Sequence, residues 1–238
     1  MSNLVVTIMA AGEGKRMESD IPKVLHLFNG KPMLVRIISE VDKLNPKKII
    51  IITGKFDQLI KDTLLEHLCK NIIFVKQDIA NGTGGAIKSS LDKYENNENI
   101  LILNGDMPLI KSQLLKEIIN GKLNTLVVTK LEEPYGYGRI IYNEESVIGI
   151  REEKDCSIEE KLIKTINVGI YYFDSKILQK YIPMIDTNNT QNEYYLTDIV
   201  KVINSELKLN TFVVEENNKY QILGVNTKEE LNKLELIF

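Results

Sequence analysis

Tryptophan is absent from this 238-residue chain, and cysteine and histidine occur only twice each. Cys69 and Cys156 are far apart, with no Cys-x-x-Cys pair and no Cys/His cluster near either. That excludes a zinc-ribbon spacing or a disulfide scaffold and favours free thiols in a reducing compartment. His26 stands between Leu25 and Leu27, and His67 in a charged segment, so neither joins a Ser/His/Asp or Cys/His catalytic set. Basic excess is missing too: 30 Lys and Arg face 33 Asp and Glu, a formal net charge of −3, which argues against a nucleic-acid partner. No apolar run reaches membrane-spanning length. Met1-Ser2-Asn3 carries no positive side chain and the apolar run that follows breaks at Gly12, so no signal peptide is read. A soluble, cytoplasmic protein is the expectation.

What is present is a regular alternation. Residues 4–9 and 48–53 are apolar runs of strand length, the second (KIIIIT) continuous, as for a parallel strand covered on both faces. Pro32 suits the first position of a helix, and Met33, Leu34, Ile37, Ile38, Val41 and Leu44 then recur at helical spacing. A helix over 57–68, a strand over 72–75, a helix over 82–91 and a buried strand over 100–103 follow. This βαβα rhythm predicts an α/β fold with a doubly wound parallel sheet, its site beyond the carboxyl ends of the strands. After a core strand at 126–130 the spacing becomes that of a hairpin, with strands near 140–142 and 147–152. A long strand over 165–173, helices near 175–181 and 197–205, and a strand over 209–214 come next. The last helix opens at Thr227, an N-cap with Glu230 three residues on.

Chemistry concentrates at residues 9–23, MAAGEGKRMESDIPK. A strand ends in Ala10-Ala11-Gly12-Glu13-Gly14, small residues that let amide donors meet phosphate oxygens without an intervening Cβ. Arg16 and Lys23 flank that bend with fixed positive charge suited to a polyphosphate. A dinucleotide fingerprint would need a third glycine where Met17 stands, and a Walker loop would need Gly-Lys-Ser/Thr after four residues; both are absent. The remaining pattern, small-x-x-Gly-x-Gly-x-Arg-Met and then Pro-Lys, resembles that of sugar-nucleotide pyrophosphorylases. The alternative is an ordinary βα turn with surface cations.

Asp106, in LILNGDMPL, directly follows a buried strand, where a lone carboxylate suits Mg²⁺ completed by water and phosphates. Asn226, in LGVNT, also follows an apolar stretch and is its candidate partner. Each could instead be a turn residue. Gln77, close after a strand, has an amide that can both donate and accept, as a nucleobase edge demands. Gly82 and Thr83 lie just beyond, where glycine lets a planar ring approach the backbone, although Asn81-Gly82 is also a turn signal. Gly138, Glu152 and Asn167 are polar or glycine positions among the later strands, and Tyr194-Tyr195-Leu196-Thr197-Asp198 reads equally as aromatic packing before a helix.

MAAGEGKRM, PKVLH, NGTGGA, NGDMPLI, GYGRI, the Glu152–Asp155 segment, NVGIYYF, NEYYLTD and GVN together resemble the N-acetylglucosamine-1-phosphate uridylyltransferases, the N-terminal half of a bacterial bifunctional enzyme. The similarity runs from about Leu4 to the end. It implies a Rossmann-like nucleotide-diphospho-sugar transferase, a mostly parallel mixed sheet flanked by helices, and Mg²⁺ dependence. The implied reaction is UTP + N-acetylglucosamine 1-phosphate giving UDP-N-acetylglucosamine and pyrophosphate. By motif match the resemblance implies triphosphate or catalytic roles for Ala10, Ala11, Gly12, Gly14, Arg16 and Lys23, and metal ligation by Asp106 and Asn226. It implies uracil contacts from Gln77, Gly82 and Thr83, and contacts around the sugar from Gly138, Glu152, Asn167, Tyr195 and Thr197. Residues 1–238 are then one domain, with a nucleotide half over about 1–125 and a sugar half over about 126–226. No nucleic-acid or membrane partner is expected, and the oligomeric state is not legible.

Four positions depart from the resemblance: Asn104 for Tyr, Gly85 for His, Val168 for Thr and Asn192 for Gly. The first and third border the metal and sugar positions and bear on which sugar is taken. The chain stops at Phe238, before the β-helix of the bifunctional enzymes, so no acetyltransferase activity is expected. Three rivals stay open: a nucleotidyltransferase using CTP, dTTP or another sugar phosphate, a non-catalytic nucleotide-sugar-binding subunit, and a nicotinamide oxidoreductase. A pure binder would not need Arg16, Lys23, Asp106 and Asn226 together, and the missing third glycine counts against the last.

Overall fold

The computed structural model describes residues 3–67, 72–203 and 206–238; Cys69, and the ends expected for two helices at Leu68 and Ser205, lie outside the described residues. β1 (Leu4–Met9) runs into the small-residue loop and then a hairpin of β2 (Leu27–Phe28) and β3 (Lys31–Pro32). Asn29 and Gly30 close that hairpin with positive φ at both, as a two-residue type I′ turn requires. α1 (Met33–Asp42), β4 (Lys48–Thr53), α2 (Asp57–Leu65), β5 (Ile72–Lys76), α3 (Thr83–Lys88) and β6 (Asn99–Asn104) follow. The later chain supplies α4 (Ser112–Ile119), β7 (Thr125–Lys130), β8 (Arg139–Asn143), β9 (Ser146–Arg151), β10 (Thr165–Asp174), α5 (Ser175–Tyr181), α6 (Ile199–Ile203), β11 (Asn210–Val213) and α7 (Lys228–Ile237).

The main sheet runs β11-β7-β10-β6-β1-β4-β5, with the β8–β9 hairpin attached to β10. β1 pairs in parallel with β4 on one side and β6 on the other. β10 lies antiparallel between β6 and β7, and β11 is parallel to β7. The sheet is therefore mixed and mostly parallel, as the resemblance implies, with β10 the antiparallel member that the βαβα rhythm alone does not reveal. One apolar cluster packs each face: Val6, Ile8 and Ile51 belong to one, Val5, Ile50 and Ile52 to the other. Alternate residues of a strand point to opposite faces, so strands buried on both must be apolar throughout, and all six residues of β4 are buried.

The topology fixes where a ligand can bind. From β1 the chain goes outward through β4 to β5, then returns across β1 to β6. The loops after β1 and β6 thus leave in opposite directions and open a crevice at their carboxyl ends. A third apolar cluster, Met17, Phe28, Met33, Leu109, Val225, Leu231 and Leu234, ties that edge to α7. Two expectations shift locally. Pro32 pairs with Leu27 and caps α1 instead of occupying its first turn. α4, unanticipated, buries Leu114, Leu115 and Ile118.

Candidate functional site

Two cavities, of about 550 and 520 Å³, meet at the crevice and share Met9, Arg16, Thr83, Asn104 and Asp106 in their walls. The smaller also includes Ala10, Ala11, Gly12, Gly14, Lys23, Gln77 and Gly82. The larger includes Gly138, Glu152, Asn167, Thr197 and Asn226. Every residue given a site role by the resemblance therefore lines one cavity or the other, except Tyr195. Its ring is buried and belongs to neither wall.

The first loop is held by its ends. Ala10 N–H donates to Ile52 O at 2.8 Å, and Gly105 N–H to Met9 O at 2.9 Å, continuing the sheet one step past β1 and β6. Gly14 takes φ +66°, and a Cβ there would lie 2.6 Å from Lys23 Cβ, so only glycine lets the two segments close. Met17 is fully buried and anchors the next turn, which leaves Arg16 facing the crevice. Arg16 Nη2 donates to Asn226 Oδ1 at 2.9 Å. Val24 and Leu25 anchor the following turn in the core, and Lys23 points back to the crevice.

Lys23 Nζ donates to Asp106 Oδ2 and, at 3.2 Å, to Asn226 Oδ1. Asn226 reaches this point because Val225 N–H donates to the Asp106 carbonyl at 2.9 Å and Glu230 Oε2 accepts from Asn226 N–H at 2.6 Å. The Asp106 carboxylate and the Asn226 amide oxygen thus converge on one cation, here the Lys23 ammonium. Among the described residues no three His, Cys, Asp or Glu side chains gather to cage a metal. A hard oxygen pair that faces a cation, with space for water and phosphate, fits a hard divalent ion such as Mg²⁺ or Mn²⁺.

In the other cavity Thr197 Oγ1 donates to Glu152 Oε1 at 2.8 Å. Burial pushes the Glu152 carboxyl above its usual range; the Thr197 hydrogen bond opposes this, and Asp155 and Asp198 add to it. Asn167 Nδ2 donates to the Tyr171 hydroxyl at 2.8 Å, and its N–H to Gly138 O at 2.8 Å. A Cβ on Gly138 would come within 2.9 Å of Ile150 and 3.6 Å of the Glu152 carboxylate, so this glycine keeps the cavity floor open. Gly169, at φ +82°, lets Asn104 lie against the backbone of β10 where its pairing with β7 shifts.

Gly82 and Gly84 have a second reason to be glycine. A Cβ on either would sit 2.5 or 3.0 Å from Tyr194 O, which accepts from Gly84 N–H at 2.7 Å. Sequence reasoning missed Lys233 and Leu234 of α7 in the larger cavity and Glu193 in the smaller. Neither an exposed lysine on an amphipathic helix nor an acidic loop residue carries a signal that separates it from ordinary surface.

The MobA-like NTP transferase domain profile matches residues 6–140. A protein of Acanthamoeba polyphaga mimivirus, described as "Probable UDP-N-acetylglucosamine pyrophosphorylase", is 44% identical, with 98% of this chain and 96% of that protein aligned. The "Bifunctional protein GlmU" of Sulfurovum sp. (strain NBC37-1) is 40% identical over 99% of this chain, which spans 54% of it. The chain thus covers about half the length of such bifunctional relatives. Among solved structures, UDP-glucose pyrophosphorylase complexed with UDP-glucose superposes with a TM-score of 0.77 at 17% identity, covering 100% of this chain and 98% of that one. HddC from Yersinia pseudotuberculosis complexed with GMP-PN gives 0.68 at 20%, covering 98% and 99%. At those identities the likeness is one of fold.

Proposed function

The chain belongs to the MobA-like NTP transferase family, and from that premise we propose that it transfers UMP from UTP to N-acetylglucosamine 1-phosphate, releasing pyrophosphate. The observation that carries the reading is the meeting of two cavities at Arg16 and Asp106, one lined by the small-residue loop and Gln77, the other by Glu152, Asn167 and Thr197. Two phosphorylated substrates can enter from opposite sides and react at the junction. The name of the mimivirus relative supports this choice of sugar and nucleotide.

The reaction needs no side-chain base. A phosphate oxygen of the sugar phosphate is already anionic; it attacks the α-phosphorus in line, and the bond to the pyrophosphate oxygen breaks. The amides of residues 10–14 hold the triphosphate. Arg16 and Lys23 align the substrates and offset charge on the α-phosphate and the leaving group. Asp106 and Asn226 would hold Mg²⁺, which when bound supplies further countercharge to the phosphates. Gln77, Gly82 and Thr83 flank the base. Glu152 and Asn167 accept from or donate to the sugar and its amide, and Thr197 orients the Glu152 carboxylate. Residues about 1–125 form the nucleotide half and about 126–226 the sugar half.

Pyrophosphate release with Mg²⁺, UTP and N-acetylglucosamine 1-phosphate tests this, alongside CTP, dTTP and glucose 1-phosphate. Strong release with the first pair alone is expected. Release only with another pair would move the specificity, and release with none would leave a binding protein.

A further inference from the structure

Gln77 follows β5 directly and lines the cavity of the small-residue loop. Its amide nitrogen donates twice, to Asn81 Oδ1 at 2.9 Å and to Gly82 O at 3.1 Å. A backbone carbonyl can only accept, so the atom facing Gly82 must be the NH₂, and this sets the orientation of the amide. Asn81 must then present its own oxygen, because the second N–H of Gln77 points at it. Both amide hydrogens are used. Gln77 Oε1, which has no donor among the described residues, is left to accept from a ligand.

Room for Asn81 comes from Gly85. A Cβ on residue 85 would overlap the Asn81 amide, whose Cγ lies 2.7 Å from that position, and would crowd Gln77 Nε2 at 3.2 Å. The glycine and the asparagine therefore act as one unit behind Gln77. Asn81 lines neither cavity.

We propose that Asn81 is a positioning residue for base selection. Together with Gly85 it holds Gln77 as a one-sided acceptor, so the cavity takes pyrimidines with an N–H at ring position 3 and rejects cytosine, which has a lone pair there. Uracil and thymine share the N–H and are not separated by this device. Without Asn81 the Gly82 carbonyl alone holds the Gln77 NH₂, so the amide turns over more readily and then offers N–H, which cytosine accepts. The inference rests on the nucleotide reading above and adds the residue that makes Gln77 discriminate.

The test is equilibrium binding of UTP, dTTP and CTP to wild type, Asn81→Ala, Asn81→Asp and Gly85→Ala, with pyrophosphate release measured in parallel. Asn81→Asp keeps an acceptor for Gln77 and keeps the UTP-to-CTP preference. Asn81→Ala lowers that ratio by about 10-fold, the order of one net hydrogen bond, while UTP-to-dTTP stays unchanged and kcat with UTP is retained. Gly85→Ala expels the Asn81 amide and reproduces the loss, and the double variant is no worse than either single one. Equal weakening of all three nucleotides, or an unchanged ratio in Asn81→Ala, overturns the proposal. A wild type that prefers UTP in binding yet releases no pyrophosphate removes the proposed reaction and leaves this inference standing. Turnover with UTP and CTP alike removes the inference and the UTP preference, while nucleotidyl transfer itself stands.

Discussion

Lys23 and Asp106, 83 positions apart in sequence, form an ion pair at the junction of the two cavities, and the same ammonium donates to Asn226. Both side chains are mostly shielded, at 16% and 17% exposure, so the pair is only weakly screened by solvent. Lys23→Ala should lower turnover by roughly 10²–10³, the worth of one preorganised charge donor. It also frees the Asp106 carboxylate and leaves Asn226 Oδ1 with Arg16 as its remaining cation. Added Mg²⁺, without nucleotide, should then raise the melting temperature of Lys23→Ala more than that of wild type, and Asp106→Ala should abolish the shift. Equal shifts in wild type and Lys23→Ala would mean that the two cations do not share these oxygens.

Arg16 is exposed and its recorded hydrogen bond is to Asn226, so the fold gains little from it. Arg16→Ala should leave the melting temperature unchanged and cut turnover by roughly 10²–10³. Near-normal turnover in the pyrophosphate assay would remove Arg16 from the reaction.

Two glycines of the first loop separate folding from binding. Gly14→Ala places a side chain in the left-handed region and against Lys23, at a cost of about 1–2 kcal/mol. A loss of several degrees in melting temperature, with reduced turnover, is expected. A Cβ on Gly12 meets nothing within 4 Å, so Gly12→Ala should melt like wild type. In the proposed reaction its methyl group enters the space that phosphate would take against the amides, and KM for the nucleotide should rise. Thermal melts and steady-state kinetics on the pair distinguish the two roles.

The parts of this site that sequence reveals are those where a polar residue interrupts a buried run. Met9 to Gly14 and Asn104 to Asp106 each leave an apolar strand at the same sheet edge, so their meeting follows from the βαβ rhythm, whereas Asn226 follows no strand and is brought in by the Val225 N–H bond to the Asp106 carbonyl. Strand direction does not follow from that rhythm either: β10 has the same apolar content whether it runs with β6 or against it, and its antiparallel placement depends on the whole chain path. α4 was hidden because its buried residues, Leu114, Leu115 and Ile118, span barely more than one turn. Tyr195 is implied as a site residue by motif match alone, and its side chain is buried and lines neither cavity. Asn81 reads as half of an Asn-Gly turn, and only the packing of Gly85 shows that its amide is engaged.

Glu152 offers a test by pH. Its carboxyl is raised above the ordinary 4.5, first by burial and then by Asp155 and Asp198, with the Thr197 hydrogen bond in opposition. An acid raised by folding binds its proton more tightly in the folded state. The stability it contributes is therefore complete below pH 4.5 and is lost as pH rises through the elevated folded value. Glu152→Gln stays neutral throughout and can still accept from Thr197. The variant should melt like wild type near pH 4 and above it at pH 7–8, the gap opening between those limits. In the proposed reaction the same change weakens a charged contact to the sugar, so KM for the sugar phosphate should rise roughly 10-fold or more. Melting curves across pH 4–8 check the first effect and steady-state kinetics the second. A gap in melting temperature that does not change with pH would show that Glu152 folds without a proton-linked penalty, and an unchanged KM would remove it from the sugar site.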